Sequence, residues 1–187
     1  MGQPLSMNRV SVVGTTGSGK TTFAAKLGEA LAIPHVELDA LNWSSNWTPA
    51  SPEVFRSRVK DVADAERWVI DGNYSAARDL VWGRADTIIW LNYSLRVTLS
   101  RLLRRTARRI VLGESCCNGN RESLSKALSR DSIIWWALRS YRRRRREYPR
   151  LLKAREAAGT WVVKLRSPKE AEKWLACVGV SVELIPH

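Results

Sequence analysis

The residues most able to do chemistry are Gly14-Thr15-Thr16-Gly17-Ser18-Gly19-Lys20-Thr21, which satisfy the pattern G-x-x-x-x-G-K-[ST]. Glycines let backbone N–H groups curl around phosphate oxygens with no Cβ in the way, and the N-terminus of a following helix adds partial positive charge. In such a loop Lys20 reaches the β- and γ-phosphates and the Thr21 hydroxyl binds Mg2+. Residues 14–22, Thr22 included, are therefore read as a nucleotide phosphate site.

Carboxylates and aromatic residues stand at matching places downstream. Asp39 follows a short apolar run, where it can accept a proton from an attacking hydroxyl, hold Mg2+ through water, or cap the next turn. Asp71 follows another such run, as a magnesium-holding acid does, and is otherwise a turn aspartate. Gly72 behind it admits a close approach of substrate, and Asn73 and Tyr74 can bond to or stack on one. Trp43 and Trp47 occupy the stretch after Asp39, where they can close over a substrate or pack that stretch down. The other seven tryptophans read mostly as core.

Two arginine faces complete the set. Phosphoryl transfer needs cations around the transferring group and exclusion of water. Leu95, Leu99, Leu102, Leu103 and Ile110 share one helical face, with Arg101, Arg104, Arg105 and Arg108 opposite. A second helix, about 130–148, places Ile134, Ala137, Leu138 and Tyr141 on one side and Arg139, Arg142, Arg143 and Arg146 on the other. Joined through the glycine-containing stretch 113–119, they resemble a closing lid. Arg101, Arg105, Arg139 and Arg143 are the expected functional members, and Arg144 and Arg145 are expected to point away. A basic face flanked by aromatics also permits nucleic-acid phosphate binding.

The elements that must position these residues follow from periodicity. Strands are expected at 9–13, 35–38, 68–70, 87–91 and 161–165, and helices at 22–32, from 52, at about 75–82, at 95–112 and from 168 to about 175. In the helix opening at Ser51-Pro52, Val54, Val59 and Ala63 are expected to face inward, and Pro149 is expected to end or kink the second arginine helix. Strands alternating with helices imply crossovers and a parallel sheet, whose ligands collect beyond the carboxyl ends of its strands.

The chain of 187 residues suits one domain of ordinary core size, with a lid at about 104–146. With 44% hydrophobic and 26% charged residues it is not a disordered chain. A net charge of +13 calls for an anionic partner. Cys116, Cys117 and Cys177 make neither a disulfide framework nor a zinc site, and fit a reducing cytoplasm. No apolar run approaches the roughly 18 residues of a membrane span. Met1 to Ser6 matches a myristoylation pattern by its letters, but a loose leader before Met7 is the expected reading.

Residues 14–22, the run His35-Val36-Glu37-Leu38-Asp39-Ala40-Leu41-Asn42-Trp43, and Trp68-Val69-Ile70-Asp71-Gly72-Asn73-Tyr74-Ser75 together resemble the bacterial DNA topology modulation proteins, which are adenylate-kinase-related P-loop kinases. The resemblance runs on through 85–91 and the arginine-rich helix to Leu165-Arg166-Ser167-Pro168. It implies a three-layer α/β/α P-loop fold with a central five-stranded parallel sheet, ATP with Mg2+ at the P-loop, a substrate loop after the second strand and a mobile arginine lid. It places Ser167 and Pro168 near the adenine. Adenylate kinases carry Asp-Gly-Phe-Pro-Arg where this chain has Asp71-Gly72-Asn73-Tyr74-Ser75, so the arginine that holds AMP there is missing at that position. The combined expectation is a cytoplasmic kinase that passes the γ-phosphoryl group of ATP to a nucleotide or other small acceptor. The alternative is a nucleotide-binding module acting on DNA or RNA.

Overall fold

Five strands form the centre of the molecule: β1 (Arg9–Gly14), β2 (His35–Glu37), β3 (Trp68–Asp71), β4 (Thr87–Leu91) and β7 (Trp161–Leu165). They pair in the order β2-β3-β1-β4-β7, every pair parallel. The computed structural model describes residues 7–112, 115–116, 120–121 and 133–183. The leader before Met7, Cys117, most of the expected hinge at 113–119 and the expected helix start near Arg130 lie outside the described residues.

Alternation along the strands sends side chains into two cores. Val10, Val12, Val69, Ile89 and Leu91 pack on one face with Phe23 and Leu27 of α1 (Lys20–Leu31) and with Ala171 and Val178 of the last helix, α7 (Pro168–Glu183). Val13, Trp68, Ile70, Ile88 and Trp90 pack on the other face. There they meet Phe55 and Val59 of α3 (Pro52–Ala63), Trp82 of α4 (Arg78–Arg84), and Tyr148 and Leu152 of α6 (Ile133–Ala157). The result is the expected three-layer α/β/α arrangement around five parallel strands. Among the described residues no helix is long and apolar enough to cross a membrane.

Several elements depart from expectation. β2 stops at Glu37, and a short helix α2 (Leu38–Asn42) takes the next five residues, so Asp39 sits in a helical turn. In α3 it is Phe55 that is buried, while Val54 is 45% exposed: the larger ring takes the core position beside Val59 and Ala63. Ser51 caps that helix, accepting from the Val54 N–H. The expected helix at 75–82 is a 3-10 turn (Ser75–Ala77) running into α4. The first arginine helix is α5 (Leu95–Leu112), as expected, but Leu103 on its assumed apolar face is 46% exposed. The second arginine helix, α6, does not end at Pro149 but continues to Ala157, and α7 reaches Glu183. Two further short strands, β5 (Ser115–Cys116) and β6 (Asn120–Arg121), pair antiparallel within the region expected to form the lid.

Candidate active site

The P-loop connects β1, the central strand, to α1. Gly17 and Gly19 both hold positive φ, +85° and +84°, which an L side chain rarely adopts. At Gly17 a second reason applies: an added Cβ would run into the Thr98 carbonyl oxygen of α5, so this loop packs backbone to backbone on the arginine helix. Gly19 caps α1, which has no side-chain cap and no acid in its first turn, leaving its first amides to an anion. The Ser18 hydroxyl is buried and has no protein partner, and Thr15 is buried as well. Lys20 is half-buried while Thr21 and Thr22 are exposed.

Parallel pairing of β1 with β3 sets Val12 opposite Asp71. Asp71, 4% exposed, accepts from the Thr21 hydroxyl at 3.0 Å and lies 3.0 Å from His35 Nε2 on β2. A hydroxyl and a carboxylate are hard oxygen donors of the kind that Mg2+ takes. Among the described residues no group of three or more His, Cys, Asp or Glu could cage a metal, so a cation here would share its ligands with nucleotide phosphates. Burial lowers the Lys20 pKa, and the nearby Arg144 and Arg105 charges push the same way, while Asp71 and Asp39 oppose them. Burial and neighbouring Asp71 raise Glu37.

The segment after β3 serves the loop as much as any ligand. Asn73 accepts from the Gly14 N–H at 3.1 Å and donates to the Gly14 carbonyl at 2.6 Å. Tyr148 of α6, 1% exposed, donates to the same Asn73 oxygen at 3.2 Å. The start of the P-loop is thereby tied to the second arginine helix. Gly72 was expected to admit substrate, but its φ of +146° and the Leu38 side chain, 2.6 Å from an added Cβ, are what require glycine. Tyr74 donates to Asp39 at 2.7 Å and so holds the exposed carboxylate in place. Trp43 and Trp47 meet edge to face, ring centroids 5.8 Å apart, with Trp43 bridged to Pro49. Both are half-buried in the stretch after α2.

The arginines divide differently from the sequence expectation. Arg101 donates to the Ser18 carbonyl at 3.3 Å and lies over the Tyr93 ring, so it buttresses the P-loop from behind. Arg105, one turn on, is half-buried near Lys20. Arg139 and Arg143 are exposed, and the residue expected to point away, Arg144, is the buried one at 3%. The buried stripe of α6 is Ala137, Ser140, Arg144, Tyr148 and Leu152, at helical spacing, which turns Arg144 inward. Arg144 donates to the Ser140 hydroxyl at 3.1 Å. Its tyrosine neighbour four residues on, at the spacing that shares a face, was the signal that a count of charges overlooks. Arg78, His35 and Tyr148 were likewise missed, each being an ordinary residue until the sheet brings it to the site.

Ser167 and Pro168 stand at the carboxyl end of β7. Ser167 accepts from the Glu170 N–H and so caps α7, while Glu170 accepts from the N–H of Arg166, one residue before the cap.

No protein-family model matches the sequence and no curated protein matches it, but the fold has counterparts among solved structures. A shikimate kinase from Bacteroides thetaiotaomicron superposes with a TM-score of 0.57 at 16% identity, over 96% of this chain and 100% of that one. A shikimate kinase from Acinetobacter baumannii, in complex with shikimate, gives 0.55 at 14% over 96% and 97%. A gluconokinase from Sinorhizobium meliloti 1021 gives 0.52 at 20% over 96% and 98%. The fold is that of the P-loop kinases.

Proposed function

We propose that the protein is an ATP-dependent phosphotransferase that passes the γ-phosphoryl group to a hydroxyl of a small acceptor. The observation that carries this reading is the contact of Thr21 with Asp71 beside Lys20, at the carboxyl ends of the adjacent strands β1 and β3. The α1 amides and Lys20 bind the triphosphate, while Thr21 and Asp71 would hold Mg2+. Bound there, the ion supplies charge neutralisation at the phosphates. Asp39, steadied by Tyr74, orients or deprotonates the acceptor hydroxyl. Arg105 and Arg144 add positive charge near Lys20, where charge builds on the transferred group. Ser167 and Pro168, at the carboxyl end of β7, are assigned to the nucleotide base. The solved kinases of the same fold are named for shikimate, gluconate and, in one case of 15% identity, a sugar, which supports a small acceptor. The segments 39–43 and 71–75 further support membership of the DNA topology modulation protein family, and the cysteine usage supports a cytoplasmic location.

Purified protein, ATP and Mg2+ with a panel of nucleotides, sugars and sugar acids test this. The expected result is acceptor-dependent ADP release, cut by about 100-fold or more in Lys20→Ala. ATP hydrolysis indifferent to every acceptor and to that substitution would overturn it. The exposed Arg142, Arg143, Arg145 and Arg146 support a second reading, nucleic-acid binding by the outer face of α6. Its signature is affinity for DNA or RNA that falls steeply with salt and survives Lys20→Ala.

A further inference from the structure

A carboxylate as buried as that of Asp71, 4% exposed, needs partners inside the protein for its oxygens. Two different elements supply them. Thr21 of α1 donates its hydroxyl to Oδ2 at 3.0 Å, and Nε2 of His35 on β2 stands 3.0 Å from Oδ1. A carboxylate only accepts, so the proton of the second bond is carried by Nε2. Thr21 belongs to the phosphate loop, whereas His35 lies outside it and has no part in the reading above.

The register of the sheet puts His35 where it can do this. β2 pairs with β3 so that His35 lies opposite Val69 and Glu37 opposite Asp71. Alternate residues of a strand share a face, so His35, Glu37 and Asp71 all lie on the α1 side, with Val69. An added Cβ at Gly28 of α1 would come within 2.8 Å of the Ile33 carbonyl oxygen and 3.4 Å of the His35 Cβ. The bare backbone of α1 thus gives the start of β2 its place. Glu37 is the competing charge: burial and then Asp71 raise its pKa, while His35 acts to lower it. Two carboxylates abreast repel one another, and a donor on Oδ1 holds Asp71 in place against that repulsion.

Resting on the assignment of Mg2+ to Thr21 and Asp71 in the kinase reading above, we infer that His35 is a positioning residue for the metal site. Its Nε2–H holds Oδ1 of Asp71 and so keeps Oδ2 beside Thr21. His35 acts through Asp71 alone, and its effect falls on the metal and not on the loop amides. A carboxylate already fixed at one oxygen loses less freedom when the other takes an ion.

Binding to the full chain tests the inference without needing turnover. A non-hydrolysable ATP analogue is titrated by calorimetry with Mg2+ and again with EDTA, and the ratio of the two affinities is the gain due to the metal. His35→Leu is expected to cut that gain by about 10- to 100-fold while leaving the affinity in EDTA unchanged. His35→Gln, whose amide N–H extends about as far as Nε2, is expected to recover most of it. His35→Asn has a donor too short to reach Oδ1 and is expected to lose the gain as His35→Leu does, so it reports if the leucine variant fails to fold. Asp71→Asn removes the gain, and adding His35→Leu to it costs nothing further. A full gain in His35→Leu and His35→Asn, beside its loss in Asp71→Asn, overturns the inference and leaves the kinase reading. A loss that His35→Gln does not recover, or that adds in full to that of Asp71→Asn, marks a packing role and overturns it too. No gain in the wild-type chain, or one untouched by Asp71→Asn, takes the metal assignment and the inference down together. The expected pattern without acceptor-dependent turnover leaves the inference standing and removes the kinase reading.

Discussion

Asn73 carries more of the site's geometry than any carboxylate does. Its amide closes a two-way hydrogen bond with the Gly14 backbone and takes a third bond from Tyr148. Removing it strands a backbone donor and a carbonyl at the mouth of the phosphate loop. Asn73→Ala is expected to lower stability by about 1–3 kcal/mol in urea unfolding and to weaken ATP binding in the same protein. Asn73→Asp keeps the acceptor for Gly14 N–H but sets an anion against the Gly14 carbonyl, so it is expected to bind ATP less well than wild type. Gly17→Ala puts a methyl group into the Thr98 carbonyl at a φ of +85°. Loss of nucleotide binding with the sheet still folded, seen by circular dichroism, is the expected outcome; full binding would show that the loop stands free of α5.

Helix packing on the α3/α4/α6 face of the sheet rests on identifiable links. Arg56 of α3 bonds the Asp79 carboxylate and the Ala76 carbonyl, joining α3 to the start of α4. That hydrogen bond is the largest cause holding Asp79 at about 2, below its ordinary 3.8. A carboxylate depressed in the folded state stabilises above its unfolded pKa, and the contribution fades as pH falls toward about 2. The two side chains are 41% and 60% exposed, so solvent screening keeps the effect small. Asp79→Asn is therefore expected to cost little at neutral pH and to flatten the acid limb of the stability profile between about 4 and 2. Pro149 sits inside α6, where it lacks an N–H for the ladder. Pro149→Ala is expected to raise stability by about 1–3 kcal/mol, read as a higher urea midpoint. An unchanged midpoint would mean that the helix has already relaxed around the ring.

Over the whole molecule, β1 lies between β3 and β4, and the chain leaves it toward one side of the sheet before crossing to the other. Ligands of parallel sheets gather at such a switch point, and the P-loop, α2 and the turn after β3 all open there. A ligand at that junction touches elements of both layers, so saturating ATP with Mg2+ is expected to stabilise the entire domain. At 100 times Kd the gain is about 2.7 kcal/mol, visible as a raised Tm that falls back on chelation.

The fold was legible because its signals are local. Val10, Val12 and Val13 before Gly14, the four-residue spacing of Phe23, Leu27 and Leu31, and β-branched runs at regular intervals specify a parallel sheet with crossovers whatever their neighbours do. The phosphate loop was legible for the same reason, since its glycines and Lys20 work through backbone conformation in one short segment. Val54 and Phe55 show where local reading stops: either could begin the inward face, and the room beside Tyr74 suits the ring. Arg144 shows it more sharply. In a run of five arginines nothing local separates one from the next. Only packing of α6 on the sheet and on α4, through Tyr148 against Trp90 and Trp82, sets the rotation that buries Arg144 and leaves Arg139 and Arg143 in water. The phosphate loop, the sheet and the excess of positive charge were thus determined by sequence alone. Which arginines are buried and which stand in water followed from long-range contacts, because a helix's orientation depends on surfaces far away in the chain.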